Sequence, residues 1–404
     1  MGRVLVLGGC GAVGRAAVRT LAGLKEFEEV VIGDINYEQA KTLAEELSQG
    51  VVAQKVDVLD SQSLKSAISG ADLVLNCVGP FYKFVKPILQ AVVEARVNYL
   101  DICDDVDVTA EILEWDNRAK EAGIICLIGM GSSPGVTNLL AKYAYEHLLD
   151  ETEAIDIYHA HGGEPFEGEG VVGHRLHCMS IDIPMFLEGE FKQVKFFAPE
   201  GIALREEVDF FKIGRHRVYP YPHPETITLP RFLGGLKRVT NKGTVLPDEY
   251  YELTMELCRL GLASKEPIEV KGGKITPYDF ALAYIIRERE RILKETNFGS
   301  QKGCVMVVVS GKKQGRERKY IFSMASESQA LGEGTGIPAA LGAVLLKQGK
   351  FKDKGVLPPE AGLDPVDFLA LVKEVLGVDK LGEADYPLVI EEVNEKGEKR
   401  RLVA

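Results

Sequence analysis

The most legible chemistry lies at the start of the chain. Gly9-Cys10-Gly11-Ala12-Val13-Gly14 spells GxGxxG directly after an apolar run, at the head of a segment with helical spacing. That context suits a dinucleotide pyrophosphate. Gly9 would permit the tight turn, Gly11 a close backbone approach, and Gly14 contact between helix and strand. The helix start at Ala12 and Val13 would offer unpaired N–H groups to phosphate. Asp34 stands twenty positions beyond Gly14, ending the next apolar run. A carboxylate there accepts from ribose hydroxyls and repels a 2′-phosphate, so NAD is expected over NADP. Asp57 is a candidate for the adenine end, or a turn residue. Asn76-Cys77-Val78-Gly79 closes a further apolar run and is expected on the nicotinamide side, because ligands bind outside the carboxyl ends of parallel strands. Cys77 reads as an inert thiol, with no base adjacent in sequence.

A second group follows. Asp101 ends the fifth apolar run, with Asp104 and Asp105 just beyond. Carboxylates there could take a proton or bind an ammonium, or cap a helix. Next comes GMGSSPGVTNLLA, in which Ser133 is a plausible cap and Pro134 a plausible first helical residue. The N–H groups of Gly135 and Val136, with the Asn138 side chain, would then suit a substrate carboxylate. Four of the seven histidines, His159, His161, His174 and His177, form the third group. HxH with HxxH is compatible with zinc, but no Cys or carboxylate spacing fixes a geometry, and no metal is expected. His159 and His161 share a strand face and are candidate acid–base groups beside Asp101.

The elements that must position these residues change character along the chain. Up to about residue 128, apolar strands alternate with helices, the signature of a parallel sheet covered on both faces. From 129 to 328 the texture is α+β, with strands expected at 154–163 and in QVKFFAPEG, EEVDFFKIG and PIEVKGG. A hairpin is expected to turn near Lys312–Gly315, with helices at 248–262 and 277–294. Residues 329–404 read as a return segment packing on the first domain, with an apolar helix at 336–350 and a charged tail. The expected fold is α/β: a Rossmann-type doubly wound parallel sheet plus an inserted α+β substrate and dimerisation domain with a mixed or antiparallel sheet.

Composition narrows the partners. The 404 residues are 46% hydrophobic and 27% charged, ordinary globular values. Forty-eight basic side chains against 60 acidic ones give a net charge of −12, which disfavours nucleic-acid phosphates and anionic membranes. The apolar runs are too short to span a bilayer. Seven scattered cysteines without a CxxC pair, and the lack of a leader-like segment, fit a reducing cytoplasm.

The combination GGCGAVG, NCVGPFYKFVKPILQAVVEARVNYLDICDD, GMGSSPGVTNLLA and GTGIPAALGAVLLKQGKFKDKGVLPPE resembles the saccharopine dehydrogenase-like family, in its lysine 6-dehydrogenase and carboxynorspermidine dehydrogenase branch. The likeness runs from the first strand to about residue 365. It implies a homodimer, amino-acid metabolism such as that of lysine, and hydride transfer at a C–N bond of an amino acid or polyamine-like substrate. It carries Gly9, Gly11, Gly14, Asp34, Asn76 and Cys77 over as cofactor contacts. Oxidation of an amine needs its neutral form, hence a base, for which Asp101, His159 and His161 are the candidates. A C=C reductase of a lipid-like substrate and a non-catalytic dinucleotide sensor are the rival readings on this fold.

Overall fold

The computed structural model describes residues 2–47, 50–165, 167–327, 332–385 and 387–403. The first sheet contains β1 (Arg3–Leu7), β2 (Glu29–Asp34), β3 (Val51–Lys55), β4 (Leu73–Asn76), β5 (Asn98–Asp101), β6 (Ile125–Leu127) and β17 (Gly355–Leu357). All are parallel, in the order β17-β6-β5-β4-β1-β2-β3. The apolar runs are explained by burial on both faces. Val4 and Val6 join a core with Val18 and Leu21 of the helix Ala12–Leu24, whereas Leu5 and Leu7 join one with Leu64, Ile88 and Leu89. Each such fully buried side chain stabilises the fold by about 1.5–3 kcal/mol.

The second sheet is mixed. It contains β7 (Glu151–Gly162), β8 (Asp182–Leu187), β9 (Glu190–Lys195), β10 (Glu206–Phe210), β11 (Gly214–Pro220), β12 (Arg238–Leu246), β15 (Lys302–Lys313), β16 (Arg316–Ser326), β18 (Val389–Asn394) and β19 (Lys399–Leu402). The order is β10-β11-β12-β7-β15-β16-β18-β19, with β8 and β9 branching from β12. β7 runs parallel to β12 and antiparallel to β15. It is central and nearly all buried. A small hairpin, β13 (Ile268–Val270) with β14 (Gly273–Ile275), stands apart.

The chain after residue 331 serves both sheets. The helix Gly332–Lys347 lies against Ala12–Leu24, and a Cβ on Gly336 would fall 2.5 Å from the Val13 carbonyl oxygen. β17 then completes the edge of the first sheet. The tail is not confined to the first domain, because β18 and β19 extend the second sheet beyond β16. The boundary expected at 328–329 lies outside the described residues.

Candidate active site

The glycine loop is built as its chemistry requires, with one reassignment. The positive φ of the turn belongs to Gly8 (+73°), not Gly9, where a Cβ would strike Ile32 at 2.8 Å. A Cβ on Gly14 would sit 2.2 Å from the Gly8 carbonyl oxygen, so this glycine sets the contact of helix and turn. At Gly11 a Cβ meets only that same oxygen, at 3.4 Å. Among the described residues the space over Gly11 is therefore free for a ligand. Gly11 is also the N-cap, with no side chain capping the helix and no acid in its first turn. This uncapped, exposed helix start is a cradle for a pyrophosphate.

Asp34 is less free than expected. Its Oδ2 accepts from the Cys10 N–H at 3.0 Å and its Oδ1 from the Asn36 N–H at 2.9 Å, while Asn36 caps the next helix. These bonds fix the carboxylate at the end of β2, beside a depression lined by Ile35, Asn36, Tyr37, Glu38 and Lys55. Asp57 is a turn residue whose Oδ1 accepts from the Leu59 N–H. Asn76 is fully buried; its Oδ1 accepts from the Val78 N–H and its Nδ2 donates to the Tyr99 hydroxyl. It holds the β4 loop in place and does not face a ligand. Burial, then the Asp101 charge, pushes the Cys77 thiol up to about 12, consistent with an inert group. Gly79 has open space around it.

Two further expectations are corrected. Asp101 has no exposed surface: Oδ1 accepts from the Gly129 and Cys103 N–H groups, and Oδ2 from the Tyr99 hydroxyl. It clamps the ends of β5 and β6 and does not reach a substrate. Burial raises its carboxyl to about 6 against the lowering effect of these three bonds. The proposed carboxylate cradle is also closed. The helix begins at Val136, not Pro134, and Asn138 Oδ1 accepts from the Gly135 N–H at 2.8 Å. The Val136 and Thr137 N–H groups donate to the Gly131 and Ser132 carbonyls. Asn138 Nδ2 in turn donates to Glu360, whose carboxyl burial pushes up to about 7.

A different group gathers over the carboxyl ends of β4, β5 and β6. His174, on the helix Glu169–Cys178, places Nδ1 3.1 Å from Asp105 Oδ1. Its Nε2 lies 3.3 Å from Cys178 Sγ and 3.8 Å from Asp104 Oδ2. Asp105 is itself fixed by the Tyr82 N–H at 2.8 Å. His223 Nδ1 lies 2.8 Å from Glu225 Oε2, and Glu225 Oε1 accepts from Ser133 Oγ at 2.6 Å and Thr137 Oγ1 at 2.8 Å. Ser133 is thus a link between domains rather than a cap. Tyr221 is the hub: its ring centroid is 4.8 Å from His159, 5.8 Å from His223 and 6.4 Å from His174.

The three central histidines differ in charge. Burial lowers His174, but Cys178, Asp104 and Asp105 outweigh it and hold the imidazole well above its ordinary range. Burial likewise lowers His223, and Glu225 more than restores it. His159 is pushed well down by burial, with the His223 and His161 charges adding, and its buried Nε2 has no hydrogen-bond partner among the described residues. Its ring lies over Gly243, where a Cβ would come within 1.9 Å. His161 belongs to Glu164, at 3.0 Å, and His177 faces Asp107, at 3.6 Å. The four sequence histidines therefore do not converge as a zinc set. Asp104, Asp105 and His174 offer ligand atoms within 4.8 Å of one another, but Asp105 is already bonded to the imidazole. Sequence reasoning missed His223, Glu225 and Tyr221; the only signal was the local run Tyr221-Pro222-His223-Pro224-Glu225.

A glycine-loop cradle on a doubly wound parallel sheet, with histidine–carboxylate pairs above the carboxyl ends of its strands, is the architecture of a dinucleotide-binding protein. Residues 4–127 match the saccharopine dehydrogenase NADP binding domain. It is 26% identical over 414 residues to the carboxyaminopropylagmatine dehydrogenase of Synechocystis, covering 96% of this chain and 97% of that one. It is 28% identical over 367 residues to the carboxynorspermidine synthase of Vibrio alginolyticus, covering 84% and 85%. The fold matches Saccharomyces cerevisiae saccharopine dehydrogenase (L-Glu forming) with a TM-score of 0.68 over 99% of this chain and 100% of that one, at 14% identity.

Proposed function

We propose that the protein is an NAD(P)-dependent dehydrogenase or reductase acting at the CH–NH bond of a polyamine-like amine that carries an amino-acid group. The observation that carries this reading is the pair of imidazole–carboxylate contacts, His174–Asp105 and His223–Glu225, over the carboxyl ends of β4 to β6. The names of the two relatives supply the substrate class. The dinucleotide, held by Gly11, Ala12, Val13 and Gly14, would give or take the hydride. His174, kept protonated, hands a proton to the imine nitrogen in reduction and takes it back in oxidation; Asp105 orients it. Neutral His159 accepts a hydrogen bond from the amine without repelling it. Asp34 favours the 2′-hydroxyl of NAD, and Lys55 is the cation placed to answer a 2′-phosphate. We also place the protein in the cytoplasm as a homodimer.

The test is nicotinamide absorbance with NAD or NADP and a panel of carboxynorspermidine, carboxyaminopropylagmatine, saccharopine and lysine. Turnover of a carboxyaminopropyl amine is expected. Intact dinucleotide binding with no turnover of any amine would remove the reading.

A further inference from the structure

The closed helix start at Val136 leaves the carboxylate of such a substrate without a seat there. The helix that carries His174 presents an alternative in its next residue. Arg175 is 2% exposed; one arm of its guanidinium binds Glu167, the group lies 5.1 Å from the Tyr250 ring centre, and Nη1 is buried with no hydrogen-bond partner among the described residues. Glu167 is shared: it also accepts from the Tyr250 hydroxyl at 2.6 Å and faces Arg289 at 3.2 Å. Glu164, the next carboxylate along, is held by His161. The Tyr251 hydroxyl is a second buried polar group without a partner, on a side chain 1% exposed. Arg175 and Tyr251 both lie within electrostatic reach of Tyr221, as does Asp104. Tyr221 is thus close to the histidines and to both buried donors.

Unpaired buried donors are costly, and a guanidinium more so. A ligand that bonds both would remove that cost. The geometry points to Arg175 Nη1 and the Tyr251 hydroxyl as the seat of a substrate carboxylate. This rests on the proposed function, and adds where the amino-acid end of the amine binds. The carboxyaminopropyl group has its carboxylate only a few bonds from the reacting C–N bond. Asp104 would answer the neighbouring ammonium.

Calorimetry on the full chain would compare diaminobutyrate, which carries this carboxylate, with diaminopropane, which lacks it. Kinetics would compare carboxynorspermidine with norspermidine. Wild type is expected to favour each carboxylated member by about 100-fold or more, because a site built to bond a group rejects the analogue without it. Tyr251→Phe is expected to cut that preference about 10-fold through KM. The same variant should not lose thermal stability, since the hydroxyl it removes has no partner in the protein. Arg175→Lys is expected to cut the preference further, and Tyr251→Phe keeps the test open if that variant unfolds. Amine turnover with an unchanged preference in Tyr251→Phe and in folded Arg175→Lys would overturn the carboxylate seat alone. Diaminobutyrate binding that Tyr251→Phe weakens, without turnover of any amine, would keep the seat and overturn the proposed reaction.

Discussion

At the scale of single residues, the distinction is between groups that hold the site and groups that face it. Asp101 and His174 are both buried titratable groups near the strand ends, but their surroundings predict opposite behaviour. His174→Gln removes the proton donor and is expected to lower kcat by about 10²–10⁴-fold. In wild type the imidazole keeps its proton through neutral pH. Reduction should therefore decline only on the alkaline side while oxidation rises, a profile that steady-state rates across pH would show. Asp101→Asn is expected to leave turnover within a few-fold. Its signature is in stability. The carboxyl titrates near 6 when folded against 3.8 ordinarily. Its contribution is full below the ordinary value and is lost as pH rises through about 6. Denaturant titrations from pH 4 to 7 should show a flatter slope in the variant; a matching slope would mean that Asp101 is not the group responsible.

At the scale of elements, the glycine loop separates fit to the protein from fit to the ligand. Gly14→Ala drives a methyl into the Gly8 carbonyl and is expected to cost about 1–3 kcal/mol of stability as well as dinucleotide affinity. Gly11→Ala makes only a 3.4 Å contact with the Gly8 carbonyl oxygen and replaces an N-cap glycine, so melting should fall less than in Gly14→Ala while the dinucleotide Kd rises about 10-fold or more. Thermal melting and fluorescence titration together read the difference. The loop, Asp34 and the strands β1 to β6 were legible because their spacing follows directly from burial on two faces. The helix Glu169–Cys178 was not. Gly170 and Gly173 interrupt it, and His174, Arg175, His177 and Cys178 leave no clean apolar stripe for periodicity to find. The helix Glu225–Phe232 was hidden by Pro230, and with it the pairing of His223 and Glu225. Asp101 was misjudged for a different reason. A carboxylate at a strand end looks the same in sequence whether it meets a ligand or the amides of Cys103 and Gly129.

At the scale of the whole molecule, the two sheets are tied by the same late stretch of chain. Leu388, Val389 and Ile390 are buried, and β18 covers the edge of β16. A chain ending at Lys380 is expected to expose that edge and self-associate, which light scattering would detect as species larger than the full-length protein forms. The late return of β17 beside β6 also sets a timetable for synthesis. The edge of the first sheet waits for a strand made about 230 residues after β6. At roughly 5–20 residues per second, that is roughly 10–50 s on the ribosome. For that interval the nucleotide-binding half exists without its outer strand and without the helix that backs its glycine loop. The first domain to be translated is therefore finished only after most of the second has emerged.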